Sequence, residues 1–127
     1  SKGKIFTIRP PFQPKEIAKF QSIISKENLS VTFNANHEFL FLVNDRNKVI
    51  GGLYYKIKNE NRVHLEWVVI MKKYQRSNLS KRLMDDFCNR MKQGGQKMIT
   101  VGFYHESFFY KQGFSIDQSF GGLVKKL

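Results

Sequence analysis

Apolar positions along this chain change period several times, and each change marks an expected strand or helix. Lys4 to Ile8 alternates as a first strand, and Pro10, Pro11 and Pro14 punctuate the stretch after it. Ile17, Phe20, Ile23 and Ile24 then recur at helical spacing, with Pro14 suited to the helix entrance. Asn28 to Asn36 is a polar connection. Three strand-like runs come next, Glu38 to Asn44, Lys48 to Lys58 and Arg62 to Met71, joined by turn-rich Asp45-Arg46-Asn47 and Asn59-Glu60-Asn61. This order predicts an antiparallel meander. Leu79, Leu83, Met84, Phe87, Cys88 and Met91 mark one face of a second helix, closed by Gly94-Gly95. Lys97 to Phe103 reads as a strand, Glu106 to Gln112 as a short helix, and Phe114 to Leu127 as one or two terminal strands. The pattern has no repeat, low-complexity block or linker, and it predicts an α/β chain with the element order β-α-βββ-α-β-α-β(β).

Composition narrows the setting. A chain of 127 residues suits one domain, residues 1–127, and its 12 Phe argue against disorder. It has no apolar run long enough to span a bilayer and no signal-peptide core, so no membrane partner is expected. Cys88 stands alone, which excludes an intrachain disulfide and suits a reducing compartment. The cytoplasm is the expected location, with the nucleus left open. Within a periodic helix Cys88 reads as a packing residue. His37, His64 and His105 have none of the tight spacings of a zinc site, and no metal is expected. The formal charge of +12 suits a phosphate-rich ligand, nucleic acid, an acidic protein surface, or simply a solvated exterior. The Lys/Arg-Gly-aromatic signature of RNA-recognition folds is absent, so nucleic acid is disfavoured as a partner.

The stretch Val68 to Lys81 carries the most chemistry. A β-type run ends at Ile70, a polar loop comes next, and a helix begins near Leu79. The first N–H groups of a helix lack internal partners and sit at the positive end of its dipole, so this order builds an anion site. Lys72, Lys73, Arg76, Lys81 and Arg82 surround the loop. Downstream comes Phe108-Phe109-Tyr110-Lys111-Gln112-Gly113-Phe114, a short helix closed by Gly.

A strand ending Val-Val-Ile, a loop starting Tyr-Gln, and an aromatic-aromatic-x-Lys-Gln-Gly-Phe helix together resemble the GNAT superfamily of acyl-CoA-dependent N-acyltransferases. The resemblance is firm over Val49 to Phe114 and extends in outline from Ile5 to Leu127. It implies a mixed, mostly antiparallel sheet with a V-shaped split between central strands and helices on both faces. In that family the loop reads Gln or Arg, two variable residues, Gly, one variable residue, then Gly or Ala. Here Gln75 fits, while Asn78 and Ser80 replace the small residues. Asn visits the left-handed region readily and Ser is little larger than Ala. The resemblance implies that Gln75, Arg76, Ser77, Asn78, Leu79, Ser80 and Lys81 hold the pyrophosphate of acetyl-CoA. It also implies that Val68, Val69, Ile70 and Phe109 lie along the cofactor.

Acyl transfer to an amine needs a base, an oxyanion donor and a way to stabilise the leaving thiolate. Glu66 and His64 share a strand face by alternation, and either can take the amine proton. Glu66 is the first choice, with Trp67 as an apolar neighbour able to raise its basicity; His64 needs little tuning to act near neutrality. The oxyanion donor implied by the resemblance is the backbone amide of Val69 or Ile70. Many members carry a Tyr four residues before the Gly of the last motif, where this chain has Phe109. Tyr110 falls about 100° away on a helix, and Tyr104 and His105 are weaker substitutes.

The expected function is therefore N-acetyl transfer from acetyl-CoA to a primary amine, by direct attack in a ternary complex. The alternative is a non-catalytic acyl-CoA-binding or protein-interaction domain with a degenerate site. The acceptor, a small molecule or a protein, would be set by the short segment Lys26 to His37, which suggests an open acceptor side. The ends at Ser1 and Leu127 fit a domain excised from a longer protein, whose neighbouring domains or partner would then contribute specificity.

Overall fold

The computed structural model describes residues 5–27, 31–75 and 78–127. Strands β1 (Thr7–Arg9), β2 (His37–Val43), β3 (Val49–Ile57) and β4 (Arg62–Ile70) form an antiparallel run. Strand β5 (Met98–Val101) joins β4 in parallel, and the sheet continues through β7 (Gly122–Lys126) to β6 (Ser115–Asp117) at the far edge. The mixed, mostly antiparallel sheet is the predicted one.

Helix α1 (Pro14–Ser25) starts with Pro14 in its first turn and buries Phe20, Ile23 and Ile24. These side chains pack with Phe39, Phe41, Val43, Val49, Tyr54 and Val69 on one sheet face. On the opposite face, α2 (Leu79–Gln93) sends Leu83, Met84 and Phe87 against Leu40, Leu53, Val63, Leu65 and Ile99. The short α3 (Glu106–Lys111) adds Phe109 to that second core. Each face of the sheet thus carries helices, because each faces water unless an amphipathic stripe covers it. Cys88 packs against the α2 core, and burial pushes its thiol pKa up, which suits a packing role.

Two expected strands are shifted. The first is Thr7–Arg9 rather than Lys4 to Ile8; Lys4 lies outside the described residues. Arg9 is kept in this strand by a buried ion pair, 2.7 Å, with Glu16 of α1. The strand expected over Lys97 to Phe103 closes at Val101. Beyond Gly102 the chain turns out of the sheet, and this turn carries Tyr104 back towards β4.

One irregularity sets the phase of β4. Tyr54 pairs with Trp67 and Tyr55 with Leu65, which leaves Glu66 as an extra, bulged residue. Before it, Val63 and Leu65 point into the α2 core; after it, Val68 and Ile70 face that side while Trp67 and Val69 turn to α1. His64 and Glu66 consequently share a face with Trp67. Simple alternation from Leu65 onward gives that face to 64 and 66 but not to 67.

Candidate active site

Parallel pairing between β4 and β5 runs from Arg62↔Met98 to Leu65↔Val101 and then stops. Strand β4 continues to Ile70, so its edge beyond Leu65 has no strand beside it. The two strands part as a fork, the V-shaped split that the family resemblance implies. The fork opens into a cavity of about 580 Å³ lined by Trp67, Val68, Val69, Ile70, Gln75 and Ser80 on one side, with Glu27, Tyr104, His105, Phe108 and Phe109 completing it. That volume lies within the ~300–1,000 Å³ typical of small-molecule sites.

Backbone polarity along this edge can be read from its hydrogen bonds. Met71 N–H donates to Ile50 O on β3, whereas Gln75 Nε2 donates to Ile70 O from the open side. The N–H and C=O of one strand residue leave on the same edge. Ile70 and Val68 therefore present theirs to the fork, and Val69 turns its own to β3. Of the two amides expected as oxyanion donors, Ile70 is oriented for it and Val69 is not. Val69 can meet a ligand only through other atoms. Val68 differs again, because its N–H already donates to Tyr104 Oη at 3.1 Å.

The floor of the cavity is the start of α2. Asn78 sits at the N-cap with φ 61° and ψ 18°, the left-handed geometry expected of a glycine substitute. The first bond to that cap comes from Arg82 N. By helix geometry the N–H groups of Leu79, Ser80 and Lys81 precede any intrahelical acceptor, and among the described residues none is given another, the arrangement that suits an anion. The Leu79 side chain is buried with Leu42, Ile50 and Ile70, so only its backbone can serve. Ser80 lines the cavity. Lys81 is paired with Asp85 at 2.7 Å and is exposed, which dilutes its charge. Lys73 Nζ lies 5.3 Å from the Tyr74 ring centroid. Arg76 and Ser77, expected in the same loop, lie outside the described residues.

Beside the fork, Glu66 stands among basic groups. His37 Nε2 is 3.2 Å from its Oε2, Lys56 Nζ 3.9 Å from the same oxygen, and His64 Nε2 3.6 Å from Oε1. His64 Nδ1 meets Thr100 Oγ1 at 2.8 Å across the parallel pair. Burial lowers the His64 pKa, partly offset by the Glu66 charge, so the neutral imidazole is favoured. The apolar wall expected from Trp67 takes another form. Its ring stacks on Tyr104, 3.9 Å between centroids and 6° between planes, while imidazole and ammonium groups meet the carboxylate.

Phe109 is fully buried and lines the cavity, whereas Tyr110 is exposed, as its helical offset predicts. Tyr104, expected only as a weaker substitute, is the tyrosine that reaches the fork. Burial pushes its pKa well up, so it keeps its proton. With one lone pair accepting Val68 N–H, its own O–H is free to donate. His105 takes the N-cap position of α3 at φ 46° and also lines the cavity. Sequence reasoning assigned no individual role to His37, Glu27 or Phe108, although the first two lie in the expected acceptor segment and Phe108 opens the aromatic motif; the contact of His37 with Glu66 had no sequence signal.

The family profile described as "Acetyltransferase (GNAT) domain" matches residues 8–120. Among solved structures, GCN5 from Tetrahymena is 18% identical with a TM-score of 0.81, covering 96% of this chain and 95% of that one. An acetyltransferase of the GNAT family from Staphylococcus aureus is 16% identical, TM-score 0.74, covering 97% and 99%. A GNAT family acetyltransferase from Elizabethkingia anophelis with acetyl-CoA bound is 14% identical, TM-score 0.66, covering 96% and 98%. At these identities the structures share the fold. A comparison with curated proteins finds none that matches. Among the described residues no helix is long and apolar enough to cross a membrane. The forked sheet agrees with a profile that spans most of the sequence, and the chain belongs to the GNAT acetyltransferase domain family.

Proposed function

We propose that residues 1–127 form one acyltransferase domain that moves the acetyl group of acetyl-CoA to a primary amine by direct attack in a ternary complex. The observation that carries this reading is the fork: a β4 edge with no strand beside it and the first turn of α2 border one cavity, and Glu66 precedes Trp67 of its lining. The acetyl-CoA-bound GNAT neighbour supports the same co-substrate here. Its pyrophosphate would meet the amides of Leu79, Ser80 and Lys81, and its thioester would lie along Val68 to Ile70. Acetyl-CoA supplies the activated acyl carbon.

In this reading Glu66 takes a proton from the acceptor ammonium, with His64 as the second candidate. The neutral amine attacks the thioester carbonyl, and Ile70 N–H faces the developing oxyanion. The C–S bond then breaks as the carbonyl re-forms, and the attacking nitrogen gives up its second proton to solvent. Tyr104 holds its proton too firmly to give it up outright, so its part is to donate a hydrogen bond to the departing sulfur. The thiolate takes its proton from solvent, and one proton is released overall.

Titration calorimetry with acetyl-CoA, followed by thiol release in the presence of free amino acids, polyamines and lysine-containing peptides, tests the proposal. Binding with turnover of at least one amine is expected. Binding without turnover would favour the non-catalytic alternative, which the Phe at position 109 also supports. No binding would dismiss both.

A further inference from the structure

His37 has no part in the proposed transfer, yet its contacts are the most constrained in the cluster. Its side chain is 6% exposed. The ring lies against Phe33 and Tyr54, with centroids 6.0 and 5.0 Å away at steep angles. A local turn fixes the rest. Asn36 N–H donates to Asn34 Oδ1, His37 N–H donates to Asn34 O, and Asn34 N–H donates to His37 Nδ1 at 3.0 Å. A nitrogen that accepts a backbone N–H carries no proton of its own. The ring proton of neutral His37 therefore sits on Nε2, which faces Glu66 Oε2 at 3.2 Å.

The second imidazole at this carboxylate is held differently. His64 Nδ1 faces a hydroxyl, Thr100 Oγ1, which can rotate to donate or to accept. Both tautomers of His64 are allowed, whereas His37 has one. His37 is a built-in donor with no lone pair turned towards the substrate, and so it cannot serve as the base. The two carboxylate oxygens are also unequal. Oε2 faces His37 and Lys56, while Oε1 faces His64 at 3.6 Å, beyond ordinary hydrogen-bond length.

We propose that His37 is a positioning residue: its Nε2–H pins Oε2 of Glu66 and so presents Oε1 to the acceptor amine. This rests on the reading of Glu66 as the base. A bulged residue is left out of the regular ladder and is held less firmly by it. A rigid donor from the next-but-one strand supplies that constraint. Among the described residues, the titratable groups facing Glu66 are His37 from β2, Tyr54 and Lys56 from β3, His64 from β4 and Tyr104 from the turn after β5. Removing the donor frees Oε2 and lets the carboxylate turn away from the acceptor, which lowers kcat and leaves acetyl-CoA binding alone.

Two measurements test this. A long-range proton–nitrogen spectrum of the histidine rings at mildly basic pH should find His37 with Nε2 protonated and Nδ1 bare; the opposite tautomer overturns the proposal whether or not the protein turns over. Thiol release from acetyl-CoA with the best of the tested amines is then compared in His37→Phe and His37→Gln. Phe keeps a ring for packing and loses the donor; Gln can place an N–H near the position of Nε2. The expected result is a kcat about tenfold lower in His37→Phe with unchanged acetyl-CoA affinity, largely restored in His37→Gln. Equal losses of kcat in both variants, or a loss of acetyl-CoA affinity of the same size, would mean a packing role and overturn it. Glu66→Gln run in parallel separates the levels. Full turnover there removes the base and the mechanism with it, whereas an inactive Glu66→Gln beside a wild-type-like His37→Phe overturns this inference alone.

Discussion

Tyr104 Oη accepts the Val68 N–H at 3.1 Å across the mouth of the fork, so one hydroxyl closes the backbone that β5 has left open. A buried N–H without a partner costs about 1–3 kcal/mol, and this contact avoids that cost while leaving the tyrosine proton free. Tyr104→Phe should lower thermal stability modestly, because Val68 N–H loses its acceptor. Turnover should fall by about 10- to 100-fold, the equivalent of one hydrogen bond to a charged group worth about 1.5–3 kcal/mol. Acetyl-CoA affinity by calorimetry should change little. Wild-type turnover in this variant would remove Tyr104 from the chemistry.

The start of α2 gives a second test. Ser80→Val places a branched side chain at the cavity floor and should weaken acetyl-CoA at least tenfold without unfolding the protein. Asn78→Gly should be tolerated, since glycine accepts φ 61° freely, whereas Asn78→Val should destabilise by about 1–2 kcal/mol. Calorimetry and thermal melts read the two effects separately. Unchanged affinity in Ser80→Val would sink the pyrophosphate assignment.

Replacing the proposed base should be more severe than replacing its neighbours. Glu66→Gln is expected to cut turnover about 100-fold or more, a typical general-base contribution. His64→Gln should cost less and should leave the acid limb of the profile in place. A greater loss in His64→Gln than in Glu66→Gln would exchange their roles.

Acid stability should depend on the buried pair away from the site. Hydrogen bonding from Arg9, with help from Phe12 N–H and the Arg9 charge, outweighs burial and lowers the Glu16 pKa from 4.5 to about 2. The folded value lies below the unfolded one, so the pair stabilises fully above pH 4.5 and loses its contribution as pH falls towards 2. Glu16→Gln should cost about 3 kcal/mol near neutrality, because it leaves Arg9 buried without its counter-charge. Melting temperatures of the two proteins should converge between these pH values, and a constant difference would refute the linkage.

Net charge should be felt in binding kinetics. With a formal charge of +12 the chain attracts a phosphate-rich ligand at long range, so acetyl-CoA association should slow as salt rises. Stopped-flow binding at low and physiological ionic strength measures this. A flat response would confine the cationic surface to solvation.

Hydrophobic period exposed the strand and helix order, because residues such as Leu79, Leu83 and Phe87 repeat where a helix needs them. The strand–loop–helix unit was visible for the same reason, and Asn78 revealed its conformation through its residue type. The bulge was not visible. Glu66 looks like an ordinary alternating polar position, and only pairing with Tyr54 and Tyr55 shows that it is an extra residue. Tyr104 and His37 were equally hidden as partners. They reach β4 from a turn and from another strand, and long-range pairing leaves no local period to read.

The extra residue of β4 is also the first one past the last rung shared with β5, Leu65↔Val101. A bulge bends and twists its strand, so the same insertion that displays the carboxylate helps to turn β4 away from its neighbour. Its two offices can therefore be lost separately. Substitution at position 66 would silence the acid and leave the crevice open for a ligand. Deletion would keep every other β4 residue on its present face, since Trp67 would simply succeed Leu65 opposite Tyr54 and Tyr55, but it would straighten the strand and let the crevice narrow. A descendant that still holds the cofactor without transferring its acyl group should change the letter and keep the length. One that has abandoned the cofactor as well is free to be a residue shorter.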